Sequence, residues 1–331
     1  MGESTEIKEQ KGQSFISKLF RIGLPLLLGV VILYFLYRDT DLDEMWSMIK
    51  DANFGILLFS LIFGLAGNVI RGIRWKLLID PLGYDTKVIH LIYAALGSYA
   101  VNYVLPRAGE VWRCGVVAKK EKVPFSKLLG TLIVDRMFDT LMVALIATLA
   151  FFLNAKEFIR NKEMFKLPEI LTSVWLYIGG FAFVLAVFAV LYFFRNTAPI
   201  KKINGYLISI WDVLKTSWRM KSKGLFLIYT VSIWICYFFF FYVTFYAFNF
   251  TENLGVTVGL FVFAVSSLSM AIPSNGGLGP WQAAVILSLG IFGVITAQAT
   301  AFATAVFTVQ ALWQALYGLF AITALSVMKD K

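Results

Sequence analysis

MAIPSNGGLGPWQ, residues 270–282, interrupts the otherwise apolar C-terminal third of this 331-residue chain. Pro273 and Pro280 each remove a backbone donor, and Gly276, Gly277 and Gly279 open conformations closed to other residues. In lipid hydrocarbon an interrupted backbone is tolerated only where protein buries it or where it lines a wet cavity. The stretch is therefore either the tip of a re-entrant hairpin or an unwound helix facing a polar path. Breaks of this kind are the best pointer in a transporter sequence to its binding site.

The rest of the chain supplies the membrane context. Hydrophobic residues make up 59 % of it and charged residues 15 %, with a mean hydropathy of +0.75, which excludes an ordinary soluble domain. Residues 1–19 read as a polar cytoplasmic tail, and a single transmembrane domain occupies 20–328. Full spans are expected at 20–37, 54–78, 128–153, 171–194, 225–248 and 300–327, each long enough for a hydrocarbon core of about 30 Å. A short acidic loop with Asp39, Asp41, Asp43, Glu44 and Asp51 follows the first span. The net charge of +10 fits positive inner loops and anionic headgroups, and no nucleic-acid partner is expected. Cys114 and Cys236 lie far apart and His90 is the one histidine, so neither a disulfide framework nor a metal site is expected, nor any cofactor.

Two apolar stretches decide the topology, 88–117 and 258–295. If 88–105 crossed the membrane, Arg71, Arg74, Lys76 and Lys87 would face the side opposite the basic residues from Arg107 to Lys127. That violates the positive-inside rule. If each stretch enters and leaves on one side, both groups fall inside together with the basic 195–223 linker, and both termini are cytoplasmic. The expected fold is thus an all-α polytopic membrane protein of six spans and two re-entrant hairpins, eight hydrophobic segments in all. Span two, hairpin one and span three then mirror span five, hairpin two and span six, an inverted-topology repeat. The breaks Leu105-Pro106-Arg107-Ala108-Gly109 and Ile272-Pro273-Ser274-Asn275-Gly276 agree with it. Between spans four and five, Ile203, Leu207, Ile210, Leu214 and Trp218 recur at helical spacing among Lys201, Lys202, Lys215 and Arg219, marking an interfacial amphipathic helix over about 199–222.

Polar residues gather at these breaks. Asn102, Arg107, Glu110 and Arg113 surround the first, where Glu110 and Arg113 are spaced to pair on one helix face. Asp135, Arg136 and Asp139 lie inside the third span, where ionisable groups must pair or face water. They form either a structural ion-pair cluster or a polar path for a charged headgroup or a proton. Arg71 and Arg74, beside Trp75, serve either as interfacial anchors or as phosphate ligands, for which the guanidinium fork is suited. Ser274, Asn275 and Gln282 add hydrogen-bonding groups at the second break, with a half-helix N-terminus near Trp281 to hold an anion.

Four motifs together, RGIRW (71–75), NYVLPRAGEVWR (102–113), DRMFD (135–139) and IPSNGGLGPWQ (272–282), resemble the flippase-like family. That family shares its fold with the membrane half of bacterial lysylphosphatidylglycerol synthase. The resemblance implies an inner-membrane protein that moves, or helps move, a lipid between leaflets. It matches Asn102, Pro106, Arg107, Gly109, Glu110 and Arg113 to the family's first hairpin. Asp135, Arg136 and Asp139 match its acidic-Arg-x-x-Asp motif, and Gly276, Gly277 and Gly279 its second hairpin. A glutamate is usual three residues past GGLG, and Gln282 stands there instead. No aminoacyl-transferase domain follows within the sequence, so lysyl transfer is not expected.

The expected function is a non-enzymatic lipid flippase acting on an anionic phospholipid or a polyprenyl-phosphate-linked lipid. The sequence has no Walker A pattern, so its energy would come from a gradient or the lipid's own concentration difference, with Asp135, Asp139 or Glu110 relaying a proton. One alternative is a membrane glycosyl or lipid transferase using Asp39 and Asp41. Another is a scaffold for a lipid-modifying enzyme partner.

Overall fold

A computed structural model describes residues 41–155 and 222–328, with residues 27, 30–34 and 38 of the first apolar run. The expected tail, fourth span and interfacial helix fall outside the described residues. What is described is helical, and no strand appears among these residues.

The acidic stretch is the first departure from expectation. It winds into helix α1, Leu42–Lys50, because Asp41 Oδ1 accepts from the backbone N–H groups of Asp43 (2.9 Å) and Glu44 (3.1 Å). Asn53 then caps α2, Phe54–Ile79, which a 3₁₀ turn extends through Leu82. Next come α3 (Val88–Val104), α4 (Ala108–Glu121) and α5 (Phe125–Leu153). Beyond residue 222 lie α6 (Lys223–Tyr242), running into a 3₁₀ segment to Ala247, then α7 (Val256–Ser269), α8 (Pro280–Ile291) and α9 (Thr296–Val327). Helices α2, α5, α6 and α9 are long and apolar enough to cross a membrane. The protein is thus a multi-pass membrane protein. Leu141, Leu145, Leu149 and Phe152 run exposed along α5, a surface that suits lipid and would be an aggregation liability in water.

Both broken segments are helical pairs. Helix α3 packs on α4, and α7 packs on α8. A residue with positive φ opens the second helix of each pair: Arg107 at φ 58° before α4, and Gly279 at φ 88° before α8. At Gly109 the two arms of the first pair come so close that an added Cβ would lie 2.0 Å from the Ser98 carbonyl oxygen.

The order of long helix, broken pair, long helix occurs twice, and the packing obeys the correspondence. The two leading helices, α2 and α6, pack against each other. Helix α3 packs on α9, and its counterpart α7 packs on α5. The cores exchange residues in the same way. Phe226 and Leu325 join the core of Trp75, Leu91, Cys114 and Leu128. Leu57 and Ala150 join the core of Phe241, Phe261, Val285 and Phe302. Leu57 and Phe226 occupy the same position, fourth in their helices. Neither half could bury its own apolar surface alone.

Gly109→Ala should force the arms of the first pair apart, at a cost of about 1–3 kcal/mol. It should lower the melting temperature in detergent by several degrees. Gly115, on the same helix with open space around it, should accept alanine with no loss. Equal melting temperatures for the two variants would contradict the close packing.

Candidate functional site

Seven ionisable residues from three helices converge. Arg71 and Arg74 come from α2, Glu110 and Arg113 from α4, and Asp135, Arg136 and Asp139 from α5. Arg74 Nη2 donates to Asp135 Oδ1 at 2.6 Å and to Asp139 Oδ1 at 2.8 Å. Arg71 Nη1 donates to Asp139 Oδ2 at 2.6 Å and lies 3.6 Å from Asp135 Oδ2. Arg113 Nη2 donates to that same Asp135 oxygen at 3.1 Å while its guanidinium stacks on the Trp75 ring, 4.6 Å from the centroid. Both oxygens of each aspartate are therefore held by arginine.

Arg71, Arg74 and Trp75 are buried within the protein, and the Trp75 indole donates to Thr131 Oγ1 at 2.9 Å. Glu110 does not pair with Arg113. It pairs with Arg136 across the helices, Nε to Oε1 at 2.7 Å, because Arg113 points to the deeper Asp135. Arg136 also reaches Asp139 at 3.2 Å and keeps 40 % of its side chain exposed, and Glu110 keeps 32 %, while the other five are buried.

The tips of the two broken pairs touch. Arg107 donates to the Ala271 carbonyl, and Asn275 Nδ2 donates to the Tyr103 carbonyl at 3.2 Å. Gly276, at φ 62°, lies under the Tyr103 ring, where a Cβ would sit 2.2 Å from the ring edge. Asn102 Oδ1 accepts from the Gly109 N–H at 2.8 Å and so fixes the first tip. Gln282 Oε1 accepts from the Gly279 N–H at 2.7 Å. The residue that stands where a glutamate is usual thus caps α8.

Between the tips, the arginine cluster and α2, α5, α6 and α9 lies a cavity of about 680 Å³. Its size falls within the range of about 300–1,000 Å³ common for small-molecule sites. Of the expected site residues, Arg71, Asn102, Arg107, Glu110, Arg113, Arg136, Asp139, Ser274, Gly276 and Gly277 line it. Arg74 and Asp135 stand behind the wall, Asn275 is turned to the first tip, and Pro106, Gly109, Pro273 and Gly279 shape the connections without lining the space. The lining also contains residues the motifs did not reveal. Tyr237 OH accepts from Arg71 Nε (3.1 Å), donates to Asn68 Oδ1 (2.6 Å) and lies 3.0 Å from Tyr99 OH. Gln310 and Gln314, four apart on α9, face the same space. Their only signal in sequence is an amide inside an apolar span. Among the described residues no group of three or more His, Cys, Asp or Glu could hold a metal.

The model of the lysylphosphatidylglycerol synthase TM region matches residues 22–318, nearly the whole chain. The chain belongs to that family. It is also 31 % identical over 130 residues to the glycosyltransferase AglD of Haloferax volcanii, a stretch covering 39 % of this chain and 21 % of that protein. A UPF0104 membrane protein of Methanocaldococcus jannaschii, MJ1595, is 23 % identical over 126 residues, 37 % of this chain and 38 % of that protein. The matched stretches are thus well under half of either relative.

Replacing Asp135 with asparagine leaves Arg74 and Arg113 buried without their shared anion. Breaking one member of such a buried set costs about 3–5 kcal/mol. Asp135→Asn should therefore melt far below the parent in detergent. Arg136→Gln removes a half-exposed partner and should cost at most about 1 kcal/mol. An Asp135→Asn protein as stable as the parent would contradict the cluster.

Proposed function

We propose that this protein moves an anionic lipid, a phospholipid or a polyprenyl-phosphate-linked lipid, between membrane leaflets. The observation that carries this reading is the charge balance of the cavity. Five arginines, Arg71, Arg74, Arg107, Arg113 and Arg136, stand in or directly behind its wall against three acids, Glu110, Asp135 and Asp139. Among the described residues that leaves an excess of two positive charges around the cavity, where Arg107 is exposed and Arg136 half-exposed. Such an excess is costly unless an anion or water answers it. The negative charge of a phosphate ester answers it, and the guanidinium fork grips phosphate well.

In this reading α3–α4 and α7–α8 are re-entrant hairpins entering from opposite faces, six spans surround them, and the repeat is inverted. The protein sits in the cell membrane with both termini in the cytoplasm, as the distribution of lysine and arginine favours. Movement of the tips against one another would switch access to the cavity. Any proton relay would run through Glu110, which has one guanidinium partner, since both oxygens of Asp135 and of Asp139 are occupied. No enzymatic step is needed.

The name of the Haloferax relative favours a second reading, a glycosyl or lipid transferase, with a scaffold for a lipid-modifying enzyme as its non-catalytic form. Against transfer at the first loop, the Asp41 carboxylate is engaged in capping α1. The test is leaflet exchange of fluorescent phosphatidylglycerol or polyprenyl phosphate in proteoliposomes. The parent should exchange at least one of the two, and Arg107→Gln with Arg136→Gln should slow it at least tenfold. No exchange of either lipid by the parent would sink the flippase reading.

A further inference from the structure

The uncharged part of the cavity lining has a chemistry that a phosphate alone does not use. Gln310 Nε2 donates to the Phe240 carbonyl at 2.8 Å, which leaves its own carbonyl oxygen for the cavity. Gln314 Oε1 accepts from Tyr103 OH at 3.3 Å, which leaves its amide N–H groups. Asn102 likewise accepts from Gly109 and keeps its amide donors, and the buried Ser274 hydroxyl has no partner among the described residues. Trp281 lines the same space and packs beside Phe307 and Phe241. The result is a mix of donors and acceptors, uncharged, beside an aromatic wall. Polar groups partly withdrawn from water are costly unless they are satisfied, and this set, with Ser274 buried and the three amides half-buried, is only half-satisfied by protein.

Resting on the flippase reading, we infer that the transported lipid carries a neutral polyhydroxyl ring of about hexose size on its phosphate. Hydroxyl groups both donate and accept, and so complete Gln310, Gln314, Asn102 and Ser274 together. The ring's apolar face suits the aromatic wall, and its phosphate falls to the arginines. A cationic headgroup is disfavoured on two grounds. Every acid in the cluster already holds at least one arginine, and the local excess of charge is positive. A bare phosphate would leave the amide half of the cavity unanswered.

The test uses three fluorescent lipids with the same acyl chains in phosphatidylcholine vesicles: phosphatidylinositol, phosphatidylethanolamine and phosphatidic acid. Binding is read in parallel, from tryptophan fluorescence of the protein in nanodiscs. The inositol lipid should exchange and bind at least fivefold better than the other two. In Gln314→Leu and Gln310→Leu its advantage over phosphatidic acid should shrink at least fivefold. Equal handling of all three lipids, or preference for the amine, would overturn the headgroup inference while leaving the flippase reading intact. Selective binding of the inositol lipid without exchange would uphold the inference and fail the flippase reading. Neither binding nor exchange would overturn both. A hexosyl-phosphoryl-polyprenol presents a ring of similar size and hydroxyl character on a different tail, and its rate beside the inositol lipid's shows whether the site takes that lipid as well.

Discussion

Charge in an apolar medium must be answered locally, and the rest of this structure follows from how that is done. Asp135 and Asp139, one helical turn apart on α5, receive Arg71 and Arg74 from α2 and, at Asp135, Arg113 from α4. These contacts tie the first broken pair to both flanking helices at a buried point. A buried ion set of this kind contributes little net stability, since desolvating each ion costs several kcal/mol, about as much as pairing returns. Its effect is geometric: in this arrangement of the three helices every oxygen of the two aspartates is met by an arginine. The same arrangement leaves Arg136, paired with Glu110 and Asp139, half-exposed in the cavity wall, so the cluster that fixes the fold also contributes to the cavity's charge.

The doubled architecture explains why the cavity lies where it does. Each half sends its first hairpin helix to the other half's last span, and the leading helices pair at the centre. The tips then meet between the halves, through Arg107 with Ala271 and Asn275 with Tyr103. Beside these two hydrogen bonds the tips make the small contact of Gly276 with the Tyr103 ring, against larger apolar cores on either side. A contact of that kind is the natural place for the structure to open, because parting it breaks a few hydrogen bonds and exposes little apolar surface. The halves are not chemically equal, however. The first contributes the buried charges, the second the amides of α9 and the glycine-rich tip.

Much of this was legible in the chain. Proline and glycine at 105–109 and 272–280 announce the breaks because their effect on the backbone is local. Charges within apolar runs announce a polar centre for the same reason. What sequence could not supply was partnership. Glu110 and Arg113 have the right spacing to pair, yet each finds a better partner on α5, and only the packing of α4 on α5 decides that. Arg71, Arg74 and Trp75 sit near the end of an apolar run and read equally well as interfacial anchors; α4 and α5 cover them. Asp41 looks like one of several loop acids until its cap on α1 is seen. Tyr99, Tyr237, Gln310 and Gln314 carry no motif, and they matter only because three helices distant in sequence bring them to one wall.

A headgroup path requires a wet, polar cavity facing one side of α9 while lipid covers the other. Cysteine accessibility tests that directly, in a background with Cys114 and Cys236 replaced by alanine. Single cysteines at Gln314, in the cavity wall, and at Leu312 and Leu316, exposed on the apolar surface of the same helix, would be challenged in membrane vesicles with a small charged thiol reagent. Rapid labelling at 314 with none at 312 or 316 is the predicted result. Position 314 as inert as its neighbours would mean that the cavity is dry, and the headgroup path through it would fall.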